Sequence, residues 1–322
     1  MTSLITGIGG MVGSHLAELL LKNGDKVVGI YYNSTVNLEE ALEKATLDSL
    51  VLIECDVRYF NSVYAAILQN LPERIFHLAA QSLPAASLLK PQETFDINCG
   101  GTINVFESIK MIRKQLPHYN PKVVVAASSA QYGASLTPEN TPIKEDAPLL
   151  PLHPYGASKV AQDLLTFQYY KSDHLAGIRA RIFNTTGPRK TNDVCSDFTK
   201  RAVEIERGKS EKLLVGNITT KRAITDVRDL VIALKLLSEK GEPGEVYNIS
   251  GEKVYEVREI IELIKKNSSA KIEIEEDPRL LRPTDEPVIF GDSAKLKKLT
   301  QWRQEYPIEQ TIADMLEYWR KR

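Results

Sequence analysis

The chain has 322 residues and a mass of 36.1 kDa, with 43% apolar and 26% charged residues, values that exclude a disordered polypeptide. Its 41 Lys and Arg against 42 Asp and Glu leave a net charge of −1, which speaks against a nucleic-acid partner and against a polybasic membrane anchor. The length allows one large or two smaller domains, and no apolar run of about 18 residues predicts a membrane span. The N-terminal stretch lacks the basic start of a signal peptide. Cys55, Cys99 and Cys195 are odd in number and far apart, which fits a reducing, cytoplasmic location better than a disulfide framework. Without a CxxC or His-rich cluster, no metal is expected.

Residues 3–6 open as a β-rich run. Residues 14–22 carry apolar side chains at helical spacing, and Asn23-Gly24 closes them as a stop signal. Apolar runs follow at 26–32, 51–54, 74–79 and 122–127, the last holding Val123-Val124-Val125. They lack the alternation of a half-exposed strand and read as strands buried on both faces. Helical stretches between them predict βαβ units. The fold class expected is therefore α/β, a Rossmann-type doubly wound parallel sheet over residues 1–180. After residue 180 the pattern loosens. Strands expected at 212–215, 246–249 and 271–274 mix with helices at 196–207, 257–266 and 308–320. This predicts a smaller C-terminal α+β lobe over 181–322, with part of 222–250 returning to the first domain. No repeat or low-complexity linker separates the two, so they are expected to share a cleft.

The segment TGIGGMVG at 6–13 follows the first strand and opens a helix. Gly7, Gly10 and Gly13 recur every three residues there. Glycine permits a tight turn and a close approach of backbone to a pyrophosphate. The amides of Met11 and Val12 lie in the first turn, where free N–H groups and the helix dipole favour phosphate. A glycine-rich turn needed only for packing is the plain alternative. At the end of the second strand, Tyr31-Tyr32-Asn33-Ser34 replaces the acidic residue that NAD sites place near the ribose 2′-hydroxyl. No carboxylate repels a 2′-phosphate, and Asn33 and Ser34 have hydrogen bonds to offer it. No Arg or Lys clamps it. The expected cofactor is NADP(H), with NAD(H) also accepted. Alternatively, both tyrosines simply pack at the surface.

Tyr155 and Lys159 stand four residues apart and share a face if that stretch is helical. A phenol titrates near ~10, and a neighbouring ammonium favours its phenolate and lowers that value. A general acid so placed contributes roughly 10²–10⁴-fold. The YxxxK spacing also arises by chance in many helices. Its position gives it weight, downstream of the glycine turn and of a fifth strand ending Ala127-Ser128-Ser129. Parallel sheets present ligand contacts at such strand ends, so Ser128 or Ser129 would bond the substrate oxygen, unless each only caps the strand.

These pieces together resemble the extended short-chain dehydrogenase/reductases that act on nucleotide sugars. The likeness spans nearly the whole chain. It rests on TGIGGMVG, Asp56-Val57, HLAAQS at 77–82, ASSAQYG at 127–133, YGASK at 155–159 and RIFNTTGP at 181–188. It implies that Asp56 and Val57 meet the adenine, and that Ala79, Ala80 and Gln81 follow the cofactor backbone. Tyr155 would be the acid/base and Lys159 would hold the nicotinamide ribose. Ser128, four residues before Tyr132, matches the family's catalytic hydroxyl. The family also pairs through two long helices, here 94–114 and 157–171, so a homodimer is implied.

Within the family the likeness is greatest to enzymes of GDP-mannose metabolism, through GNITTKR at 216–222 and DPRLLRPTDE at 277–286. This resemblance implies that Arg222, Arg279 and Arg282 hold a diphosphate and nucleoside. Asp285 would lie near the guanosine ribose, Asn184 near the sugar or phosphate, and Phe198 and Arg201 by the guanine. Guanidinium forks suit phosphate oxygens, although each Arg singly is also an ordinary surface ion-pair candidate. Related 4,6-dehydratases carry a Glu two residues after the catalytic hydroxyl; this chain has Ala130 there. A methyl group takes no proton from C5. The implied reaction is reduction of the C4 ketone of a GDP-linked 4-keto-6-deoxy sugar, GDP-4-dehydro-6-deoxy-D-mannose. The alternatives are a 4,6-dehydratase, a 4-epimerase and a non-catalytic dinucleotide sensor.

Overall fold

The structure, a computed structural model, describes residues 1–281 and 286–322. In chain order the first half runs β1 (Thr2–Thr6), α1 (Met11–Lys22), β2 (Lys26–Tyr31), the short α2 (Leu38–Ala41) and α3 (Lys44–Asp48), β3 (Leu50–Glu54), α4 (Phe60–Asn70) and β4 (Arg74–His77). Then come α5 (Pro84–Leu89), α6 (Pro91–Phe95), a π-helical turn at Asp96–Gly100, α7 (Gly101–Arg113), β5 (Lys122–Ser128), α8 (Pro154–Asp173) and β6 (Gly177–Ile182). Residues beyond β6 give β7 (Thr185–Thr186), α9 (Val194–Glu206), β8 (Lys212–Val215), β9 (Lys221–Ala223), β10 (Thr225–Asp226), α10 (Val227–Lys240), β11 (Val246–Ile249) and β12 (Val254–Glu256). The chain ends with α11 (Val257–Asn267), β13 (Glu273–Glu276), β14 (Val288–Ile289), α12 (Ala294–Thr300) and α13 (Ile308–Arg320).

Among the described residues a parallel seven-stranded sheet has the order β11-β6-β5-β4-β1-β2-β3. The order reverses direction beside β1, which sets the glycine turn at the switch point of a doubly wound sheet. Central strands have no wet face. Leu4 and Ile5, adjacent in β1, are both sealed because their side chains enter opposite cores. One core packs α1 and α10 on the sheet, through Leu16, Leu20, Leu230 and Leu234. The other packs α4 and α7, through Val63, Ile67, Phe106 and Ile109. Each such side chain contributes about 1.5–3 kcal/mol on burial. The edge strand β3 differs: its apolar Val51 and Leu52 are exposed.

Residues 227–249 pack with the large sheet: α10 lies on α1, and β11 pairs with β6 from Val246↔Arg179 to Ile249↔Ile182. A strand first grouped with the small lobe is therefore the last strand of the large sheet. A third core joins α9, α11 and α13 around Phe198, Ile260, Ile261 and Ile312. Two boundaries shift from expectation for local reasons. Asp193 and Ser196 form a reciprocal capping box, so α9 starts at Val194 rather than 196. The strand expected at 271–274 lies two residues on, where it pairs with β8 as Glu273↔Lys212 to Glu276↔Val215.

Candidate active site

The three glycines of the first turn answer to different constraints. Gly7 has φ +76° and a Cβ there would lie 2.8 Å from the Ala79 amide nitrogen. A Cβ on Gly13 would lie 2.3 Å from the Gly7 carbonyl oxygen. These two are glycine because the protein's own backbone presses on them. A Cβ on Gly10 meets nothing closer than 3.4 Å. Gly10 caps α1 without any side-chain bond to its amides. The first-turn N–H groups of Met11 and Val12 thus face a cradle that packing does not demand and a pyrophosphate fits. Gly9 is held differently: Ser34 folds onto it, so that a Cβ there would overlap the serine hydroxyl, and Val36 N–H donates to its carbonyl at 2.9 Å.

At the adenine end Tyr32 is about half exposed, and Asn33 takes a left-handed φ of +46°. Asp56 is buried at the end of β3 but is already engaged. Both its oxygens accept from Arg58, the tightest at 2.6 Å from Nη2, and Oδ1 also accepts the Arg58 amide at 3.0 Å. Burial raises its pKa, but the Arg58 hydrogen bonds and charge outweigh burial and hold it below the ordinary value. Arg58 sits just beyond the neighbouring strand β3, near Tyr32 and Tyr59. It escaped notice because strand adjacency, not sequence proximity, brings it there. Val57 is buried, and Ala79 closes on Gly7. The Gln81 N–H donates to Asn98 Oδ1 at 2.9 Å and its carbonyl accepts from Asn98 Nδ2 at 3.1 Å, while its side chain turns to Leu83 and Thr94. Ala80 lies between them and is half-buried.

Tyr155 and Lys159 share one face of α8, with Nζ 5.8 Å from the tyrosine ring centre. His153 caps this helix: its Nδ1 accepts the Gly156 amide at 3.0 Å. The ammonium does not point at the phenol. It donates to the Ala126 carbonyl at 2.8 Å and to Gln162 Oε1 at 2.7 Å. Burial draws the Lys159 pKa down to about 7. Burial also raises that of Tyr155, and the hydrogen bond with Ser128 opposes the rise. The expected lowering by the lysine is therefore absent from the ligand-free geometry, since Nζ is turned to oxygens of β5 and α8. Ser128 Oγ accepts the Ala130 amide at 3.2 Å, which leaves its own proton for Tyr155 or a ligand. Ser129 is buried in the 3₁₀ turn that follows, and Ala130 presses its carbonyl on Gly156.

A buried ion network behind this group went unread in the sequence. Asp163, four residues after Lys159, is fully buried and accepts from Arg181 Nε at 2.9 Å, Arg179 Nη1 at 2.8 Å and Gln131 Nε2 at 3.2 Å. Arg181 Nη1 donates to the Tyr132 hydroxyl at 2.9 Å, which donates to Asn248 Oδ1 at 2.7 Å. The network locks α8 to β6, β11 and the turn after Ser128.

The two motifs assigned to the nucleotide come together. Asp277 N–H donates to the Val215 carbonyl at 2.9 Å, Gly216 is pressed by Leu280, and β14 pairs with β9. Arg222 Nη1 donates to the Glu286 carbonyl at 2.9 Å. Arg279 is mostly exposed and paired with Asp277. Arg282 and Asp285 lie outside the described residues. Asn184 Oδ1 is buried without a hydrogen-bond partner among the described residues, an orphan that a ligand donor would satisfy. The two residues expected by the guanine have protein partners. The Phe198 side chain is buried in the α9–α11–α13 core, because α9 turns Cys195, Phe198 and Ala202 inward together. Arg201 bonds Ser210 and pairs with Glu204 on the surface of its own helix.

From β6 the chain crosses to the small lobe through a clamp. Arg189, at φ +72°, forks onto Glu18 of α1 at 2.9 and 3.0 Å and donates to the Ala41 carbonyl at 2.8 Å. His15 meets the Pro188 carbonyl at 3.1 Å, and burial, then Arg189, draws its pKa down to about 4.

A tyrosine and lysine on one helix, a serine at the neighbouring strand end and an uncapped helix terminus at the switch point define a short-chain dehydrogenase/reductase. The chain belongs to the GDP-mannose 4,6-dehydratase family, whose family model matches residues 4–315. It is an enzyme of that NAD(P)-dependent, nucleotide-sugar class. It is 29% identical to the GDP-6-deoxy-D-mannose reductase of Pseudomonas aeruginosa over 79% of this chain and 82% of that one. It is 27% identical to GDP-mannose 4,6 dehydratase 1 of Arabidopsis thaliana over 98% and 88%. The structure of RMD from Pseudomonas aeruginosa complexed with NADPH superposes with a TM-score of 0.82 at 25% identity, covering 99% of both chains. The Thermus thermophilus UDP-glucose 4-epimerase, a complex with NAD, gives 0.86 at 25% identity, again covering 99% of both. Among the described residues no helix is long and apolar enough to cross a membrane.

Proposed function

We propose that this protein is a nucleotide-sugar 4-ketoreductase that converts GDP-4-dehydro-6-deoxy-D-mannose to GDP-6-deoxy-D-mannose (GDP-D-rhamnose). NADPH, bound along the glycine turn, supplies the hydride to C4. Ser128 holds the ketone oxygen, and Tyr155 gives its proton to that oxygen as negative charge develops. Lys159 keeps its third N–H for the nicotinamide ribose, since Ala126 and Gln162 occupy two. NAD(H) is the secondary cofactor. Arg222, Arg279 and Arg282 hold the diphosphate and nucleoside, and the orphaned Asn184 oxygen takes a donor from the sugar.

The observation that carries this reading is Ala130, in the turn between Ser128 and the catalytic helix. It offers neither acid nor base where a dehydratase needs a carboxylate. The Arabidopsis dehydratase matches more of the chain than the Pseudomonas reductase does, so stoichiometry is the decisive test. A reductase oxidises one NADPH per sugar, whereas a dehydratase or epimerase returns its hydride. We expect no 4-keto product from GDP-mannose, and mole-for-mole NADPH consumption with the 4-keto sugar. Conversion of GDP-mannose without net cofactor change would overturn the assignment.

The same reading includes a cytoplasmic homodimer formed through α7 and α8. These helices expose Ile103, Met111, Leu164 and Phe167, apolar surface that a four-helix contact would cover. A monomeric mass by light scattering at micromolar concentration would refute the dimer.

A further inference from the structure

Lys159 ends a hydrogen-bonded chain whose direction is set from its far end. The amides of Leu78 and Ala79 both donate to Thr6 Oγ1, each at 3.1 Å. With its oxygen so used, the Thr6 hydroxyl sends its proton to Nδ1 of His77, 2.8 Å away. Nδ1 is thus an acceptor, and the His77 proton sits on Nε2. Burial, then the charge of Lys159, keeps the ring neutral, with its pKa drawn down to about 3. Nε2 donates to Thr102 Oγ1 at 3.1 Å, and Thr102 donates to the Asn98 carbonyl at 2.7 Å. Thr102 Oγ1 also accepts from Gln162 Nε2 at 2.8 Å. The amide nitrogen being committed there, Gln162 Oε1 faces Lys159. Thr6, His77, Thr102 and Gln162 are all fully buried, so water does not substitute for any of them.

We propose that Gln162 is the positioning residue of Lys159, holding its ammonium through an amide that the buried chain from Thr6 orients. The proposal rests on the reading of Lys159 as the group that grips the cofactor ribose. The titratable groups facing Nζ are Tyr155 on its own helix, Cys99 from the π-helical turn and His77 from β4. Burial raises the Cys99 thiol to about 11, so it is neutral like His77. None of the three is a carboxylate. The ammonium therefore depends on the neutral oxygens of Gln162 and Ala126, which fits its depressed pKa of about 7.

Two substitutions separate this role from simple packing. Gln162→Leu keeps the volume and removes the acceptor. Gln162→Glu makes the acceptor a carboxylate. NADPH dissociation constants, read from cofactor fluorescence across pH, should show the lysine titration as a break. That break moves down by about one pH unit in Gln162→Leu and up by about one in Gln162→Glu. The basic limb of kcat/KM moves the same two ways. Shifts of one sign in both variants, or none in either, overturn the proposal. If Gln162→Leu does not fold, Thr102→Val serves: it removes the hydroxyl that orients the amide and should lower the break by less, and an unmoved break refutes the chain. A wild-type protein that binds NADPH but does not reduce the 4-keto sugar refutes the proposed reaction, while the binding titration still decides Gln162.

Discussion

Asp163→Ala should be the most damaging single change near the site that touches no ligand. The carboxylate is fully buried and receives Arg181, itself 4% exposed, and Arg179. Removing it strands guanidinium charge in the core, which costs about 3–5 kcal/mol when one partner of a buried pair is lost. At about 2–4 °C per kcal/mol for chains somewhat shorter than this one, Tm should fall by roughly 6–20 °C. Differential scanning fluorimetry reads this directly. Arg179→Met and Arg181→Met combined with Asp163→Leu should recover much of the loss, since all three charges are then gone and apolar volume replaces them. A fall of less than about 2 °C in the single variant would refute the reasoning, because the network would then be solvated or dispensable. Recovery of stability without recovery of kcat would indicate that the network also aims α8 at the substrate.

Gly10→Ala should fold with little change in Tm yet bind NADPH at least about tenfold more weakly, a loss of about 1.4 kcal/mol, because its Cβ enters the cofactor space rather than the protein. Gly13→Ala should instead lower Tm, its Cβ falling 2.3 Å from the Gly7 oxygen, and intact stability there would contradict the packing account. Phe198→Ala should cost about 3 kcal/mol of stability in denaturant titrations, with no selective effect on GDP affinity measured by calorimetry. Glu206 has its pKa lowered to about 2, chiefly by the Arg320 hydrogen bond. Its folded value lies below the unfolded one, so the stability it contributes is present above about pH 4.5 and lost as pH falls toward 2. After discounting for the half-exposed Arg320, this is about 1–2 kcal/mol, and Glu206→Gln should flatten that part of the pH–stability curve.

What was legible in the sequence was local. The central strands β1, β2, β4 and β5 show as apolar runs because both their faces are covered, and glycine spacing marks the turn after β1. The four-residue step from Tyr155 to Lys159 is likewise a property of one helix. What escaped depends on partners far along the chain. The direction of the Lys159 ammonium is decided by Ala126, 33 residues earlier, and by Gln162, whose own orientation derives from β1 and β4. Arg58 comes near Tyr32 because β3 lies beside β2. Phe198 was ambiguous because an aromatic residue near a nucleotide motif reads the same whether its helix turns it to a ligand or to a core.

The Arg189 clamp has a mechanical consequence. Glu18 lies on α1, the helix that the glycine turn opens, so the strap leaving β6 is bolted to the element proposed to carry the cofactor phosphates. Any swing of the small lobe over the sugar must therefore bend the chain beyond the bolt, after Arg189, rather than at the crossing itself. On the proposed reaction, the cleft floor would then stay in register with the nicotinamide while its far wall moved, and the hydride distance would be insulated from the opening that admits substrate.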